Sequence, residues 1–109
     1  MHSFELSDLQ ARRRASEAPY HEFLRVPALS AGLYELPAGG PDPQKPHTED
    51  EVYVVMSGSG RFTAADEDVP VAAGSVLYVA AGVQHRFHAI TEDLSIVVLF
   101  APAEIDEEN

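Results

Sequence analysis

A histidine and a glutamate four positions apart, His47 and Glu51, stand where a loop rich in Pro and Gly runs into the apolar segment Val52-Tyr53-Val54-Val55. An imidazole and a carboxylate presented together can hold a divalent ion. If residues 47–55 are extended, side-chain alternation places His47, Glu51, Tyr53 and Val55 on one face, with Val52, Val54 and Met56 on the other. A third ligand must come from elsewhere in the chain, and His85 is the candidate. Gly82 permits a sharp reversal that delivers His85 to the start of its own strand. There it shares a face with Phe87, while Arg86 and His88 point the opposite way. Asp50 is directed away from Glu51 by the same alternation.

These residues need a scaffold of short strands, and the punctuation of the chain predicts one. Residues 1–19 read as an N-terminal helical segment: Ser7-Asp8-Leu9-Gln10 has the form of a capping box ahead of good helix formers, and Pro19 ends it. Arg12, Arg13 and Arg14 read as a solvated face, with Glu17 as a partner for Arg13 or Arg14. From Tyr20 onward short apolar runs alternate with turn residues. Expected strands are residues 21–26, 29–36, 52–55, 61–65, 69–72, 75–79, 84–90 and 94–100. Tight turns are expected at Ser57-Gly58-Ser59-Gly60 and at Thr91-Glu92-Asp93. Many short strands with regular turn signals imply an all-β fold, an antiparallel sandwich or barrel over residues 20–101. Residues 102–109 read as an acidic tail, frayed from Glu104 on.

Composition narrows the function. Seven Lys plus Arg against eighteen Asp plus Glu give a formal net charge of -11, which repels nucleic acid and anionic membrane surfaces. The chain has no cysteine, so thiolate catalysis, disulfides and cysteine-bound zinc are excluded. No stretch has the length and apolarity of a membrane span, and no basic, apolar leader opens the chain. The expectation is a soluble, cytoplasmic, single-domain protein. It would pair as a homodimer through edge strands, with His21 to Val26 and Leu94 to Phe100 as the candidate edges.

Two stretches taken together resemble the cupin family. Gly39, His47, Glu51 and Gly58 fall on that family's first motif, and Gly74, Gly82 and His85 on its second. The resemblance covers about residues 20–100 and implies a jelly-roll barrel holding one divalent transition metal (Fe, Mn, Ni or Zn). Three positions depart from the motifs. Ala80 replaces a proline, Ala89 replaces an asparagine, and Lys45 stands where the first histidine of a His-x-His pair would be. The carried-over ligands are therefore His47, Glu51 and His85. This set of two histidines and one carboxylate leaves positions open for water or substrate and suits Fe(II) oxygen chemistry. The string from Gln44 to Glu51 resembles a group of small cupins with Gln-x-x-His at this place, which makes the Gln44 amide oxygen a fourth candidate.

Lys45 reads either as a rim lysine in water or as a cation that orients an anionic substrate. Tyr53 reads either as core or as a hydrogen-bond donor to a substrate oxygen. The family resemblance implies a dioxygenase, isomerase or lyase acting on a small oxygenated molecule. The alternatives are a non-catalytic ligand-binding or sensor domain and a purely structural β-sandwich. The family hosts many chemistries, so the fold does not choose among them.

Overall fold

Two long antiparallel strands, β3 (Asp50–Ala64) and β6 (His85–Ala101), lie side by side and carry the architecture of the computed structural model, which describes residues 1–105. Each was expected as two strands separated by a turn, and in each the chain continues through. Their pairing slips in register between Val55 and Ser57, between Ser57 and Ser59, and between Ser59 and Arg61. Such bulges bend a strand without ending it. Gly58 sits at the bend with φ +94°, and a Cβ there would lie 2.1 Å from the Asp93 carbonyl oxygen on β6. Only glycine passes at that distance. The Gly/Ser run is therefore a bulge where the sequence reads as a turn.

The bend lets each half of β3 meet different neighbours. Its first half pairs with β5 (Val76–Val79) and with the end of β6, and its second half with β4 (Glu67–Ala72) and the beginning of β6. On the far side of β6 come β2 (Leu29–Leu36) and then β1 (Tyr20–Val26), so the order is β1-β2-β6-β3-β4 with β5 beside β3. All pairs are antiparallel, as expected. Alternation then fills the interior: Tyr53, Val55, Phe87, Ile96 and Val98 are buried in one cluster, while Arg86 is exposed.

This order corrects one edge assignment. His21 to Val26 does lie on an edge strand, but Leu94 to Phe100 has β2 on one side and β3 on the other. A strand hydrogen-bonded on both sides is interior to the sheet, and here Ile96, Val98 and Phe100 face the core while Leu99 is exposed.

The helix α1 (Leu6–Ala15) forms where a helical segment was expected but starts one residue before the supposed cap. Glu5 holds the N-cap position without a side-chain cap, and Gln10 instead reaches Ser95 Oγ at 3.4 Å. The arginines also differ from expectation. Arg13 pairs with Glu35 on β2 at 2.9 Å and Arg14 with the same carboxylate at 3.4 Å. They tie the helix to the sheet instead of pairing with Glu17. At the other end, Glu104 and Ile105 are held by side chains from three places, so the frayed reading fails for them. Residues 106–109 lie outside the described residues.

Candidate metal centre

Glu51 enters the barrel because β3 starts at Asp50 and alternation turns its second residue inward, leaving the side chain 1% exposed. Asp50 faces outward and accepts the Ala81 N–H at 2.9 Å. His47 is not part of the strand. The chain bends at Thr48 and Glu49, and the His47 carbonyl accepts the Gly82 N–H at 2.7 Å, so the corner between β5 and β6 clamps the loop. The bend, and not strand alternation, turns the imidazole toward Glu51, with Nε2 3.5 Å from Oε2.

His85 opens β6 opposite Ala64. Its Nδ1–H donates to the Val83 carbonyl at 2.8 Å, which assigns the lone pair to Nε2. That nitrogen lies 3.1 Å from Glu51 Oε1, 2.8 Å from Tyr53 Oη and 3.2 Å from Gln44 Oε1. Ligand atoms of His47, Glu51 and His85 all fall within 4.8 Å of one another.

Gln44 is oriented by a residue that sequence reasoning missed. Its Nε2 donates to Asp42 Oδ2 at 2.6 Å, so Oε1 turns inward and accepts the Tyr53 hydroxyl at 2.9 Å. Asp42 also accepts the Phe87 N–H at 2.8 Å and the Tyr34 hydroxyl. One carboxylate thus ties the loop to β6 and to β2. The available signal was an acid between two prolines, Pro41 and Pro43, where the chain is stiff enough to aim a side chain.

The donor set fits a cation. His85 Nε2 lies 3.1 Å from Glu51 Oε1 and 3.2 Å from Gln44 Oε1, and the Tyr53 hydroxyl has one proton to share among the three. Acceptors this close repel unless a proton or a cation stands between them. Mixed imidazole and oxygen donors suit a first-row transition ion. Lys45 is not brought into this group. It is exposed on the outer side of the loop, lining a rim hollow with Pro46 and Glu49.

Electrostatics follow from burial. Burial pushes the Glu51 carboxyl up to about 7, against the pull of His47 and of the Tyr53 hydrogen bond. For His47 burial works downward, but the hydrogen bond to Glu104 and the charges of Glu51, Glu104 and Glu49 outweigh it and raise the group. His85 is lowered, by burial first and by His47 in addition, with the Val83 bond opposing. Burial and Glu51 hold the Tyr53 hydroxyl well above its ordinary value, so it keeps its proton.

A cavity of about 480 Å³ opens beside the group, walled by Tyr20, Tyr34 and Phe100, with His47, Gln44, Tyr53 and Glu104 as its polar lining. Among the described residues no Lys or Arg lines it. Tyr20 fits because its ring lies over Gly32, where a Cβ would be 2.1 Å from Cζ. The Tyr20 hydroxyl is buried and has no hydrogen-bond partner among the described residues. Tyr20→Phe is therefore expected to raise stability by about 1 kcal/mol in urea unfolding, because an unmade buried hydrogen bond is removed. A loss of similar size would show that the hydroxyl has a partner.

A cupin-domain family model matches residues 32–101. An uncharacterised protein of Streptomyces coelicolor is 51% identical over 104 residues, spanning 95% of this chain and 99% of that one. Among solved structures, a protein of Thermus thermophilus superposes with a TM-score of 0.74 at 22% identity, over 94% of this chain and 99% of that one. A cupin 2 conserved barrel domain protein of Rhodopseudomonas palustris gives 0.68 at 19% identity, over 83% and 68%. The last two likenesses concern the fold alone. With the family model covering residues 32–101 and His47, Glu51 and His85 gathered at one point, the chain belongs to the cupin family.

Proposed function

We propose that this cupin is a mononuclear-metal enzyme acting on a small oxygenated molecule with an apolar body. The observation that carries the reading is the convergence of His85 Nε2, Glu51 and Gln44 Oε1, with His47 beside them, behind a largely apolar cavity that Gln44, His47 and Tyr53 reach directly. His47, Glu51 and His85 would hold the ion, with Gln44 Oε1 as a further oxygen donor. A bound divalent ion supplies Lewis acidity toward a substrate oxygen.

The protein's own residues do the rest. Tyr53 keeps its proton and lies 2.8–3.1 Å from His85, Gln44 and Glu51, so it serves as a hydrogen-bond donor to an oxygen placed there. The rings of Tyr20, Tyr34 and Phe100 exclude water from the substrate body. Lys45, on the rim, acts at most on the approach of substrate. A homodimer belongs to the same reading. Val52 lies between Tyr78 and Leu99 in the ladder, and this exposed apolar face, next to Val76, is where a second copy would sit.

Cobalt(II) substituted into the protein provides the test. Small diols and hydroxy compounds are expected to shift its visible absorption on binding, and Tyr53→Phe to weaken that binding about tenfold. A cobalt spectrum indifferent to every such compound would contradict the enzyme reading and favour a structural site.

A further inference from the structure

Both imidazoles of the centre need the same tautomer, and a different device stands against Nδ1 of each. For His85 the device is local: Nδ1–H donates to the main-chain carbonyl of Val83, two residues earlier, at 2.8 Å. For His47 it is a carboxylate from a distant part of the chain. Its Nδ1 lies 3.3 Å from Oε2 of Glu104, a residue from the segment that follows β6, while its Nε2 faces Glu51.

The placement of Glu104 is built. Its own N–H donates to Ser30 Oγ on β2 at 2.8 Å, and Ser30 is fully buried. Its carbonyl accepts from Arg25 Nη2 on β1 at 2.7 Å. The next N–H, of Ile105, donates at 3.0 Å to Glu49 Oε2, on a carboxylate only 3% exposed. The Thr48 hydroxyl donates to the same oxygen at 2.7 Å. Three separate parts of the chain thus hold this backbone, all through main-chain atoms of the segment. The Glu104 side chain is left to His47.

We propose that Glu104 is a positioning residue of the metal centre: by accepting Nδ1–H of His47 it keeps the lone pair of that ring on Nε2 and fixes the ring's aim at Glu51 and His85. The inference rests on the metal-site reading above. Glu104 acts from the opposite side of the imidazole, so it is a partner to a ligand and not a ligand itself. Carboxylates in this position both orient a histidine and raise its basicity toward a metal.

The variants are Glu104→Ala, which removes the acceptor, and Glu104→Gln, which keeps a weaker one. Both leave the main-chain anchors intact, and thermal unfolding checks that they fold. Two quantities are read: zinc affinity by competition with a chromophoric chelator, and the His47 tautomer by nitrogen NMR of metal-free protein at alkaline pH, where the ring is neutral. Expected for Glu104→Ala are a loss of zinc affinity of about tenfold or more and a shift of His47 from the Nδ1–H form to a mixture. Glu104→Gln should fall between Ala and wild type in both. Unchanged zinc affinity together with an unchanged tautomer would overturn the inference. If wild type itself binds no zinc, the metal reading fails, and the tautomer alone decides whether Glu104 orients the ring.

Discussion

Glu51→Gln is expected to lower divalent-metal affinity by more than about a hundredfold and yet to raise the stability of the metal-free protein at mildly alkaline pH. A residue kept for the fold would move both quantities down together. Glu51 is 1% exposed, and with its carboxyl pushed up to about 7 the ionised form is disfavoured where it sits. A neutral amide of the same shape still accepts the Tyr53 hydroxyl and carries no charge to desolvate. The gain in metal-free stability should be on the order of 1 kcal/mol. Isothermal titration with zinc and urea unfolding in chelator measure the two effects. Loss of both affinity and stability would assign Glu51 to the core.

The second large effect is a reversal in the pH dependence of stability. In the metal-free protein Glu51 is raised from an ordinary 4.5 to about 7, and His47 is raised as well. The folded state therefore holds protons that the unfolded chain releases. Stability from Glu51 is complete below about 4.5 and lost as pH rises through about 7, and His47 acts in the same direction. His85, lowered by burial, opposes them: its contribution is present above the unfolded histidine value and is lost as pH falls. Between mildly alkaline pH and about 6.5, metal-free protein should therefore gain stability on acidification, with about 1 kcal/mol from Glu51.

Metal-loaded protein should do the opposite. Its ligands must be deprotonated, so protons compete with the ion and the stabilisation it supplies shrinks as pH falls. Thermal unfolding across this pH range, in chelator and in saturating zinc, should give slopes of opposite sign. Acidification also relieves the self-repulsion of a chain at -11, so Glu51→Gln is the control. It should flatten the metal-free slope without abolishing it. Parallel slopes with and without zinc would contradict the account.

Much of this was legible before the fold was known, for identifiable reasons. Tyr53 and Phe87 face inward with Glu51 and His85, and His88 faces out to Asp68 and Thr63, because strands alternate and glycines mark where they begin. What stayed hidden depends on contacts the local pattern does not carry. The run Ser57 to Gly60 has turn composition because a bulge uses the same glycine conformations as a turn. Asp42 reads as loop until Phe87, on the other side of the barrel, donates to it. Glu104 reads as part of a solvated acidic run until Ser30, Arg25 and Glu49 fix its backbone beside His47. Three separate anchors from distant parts of the chain cannot be inferred from the composition of a tail.

The most direct measurement is the metal content of protein purified without an affinity tag or chelator, set beside Glu51→Ala prepared identically. Close to one transition-metal ion per chain is expected in the wild type, recovered after dialysis by adding divalent ion, and none retained by the variant. No metal in the wild type, even after incubation with manganese, iron, nickel and zinc, would contradict the metal-site reading.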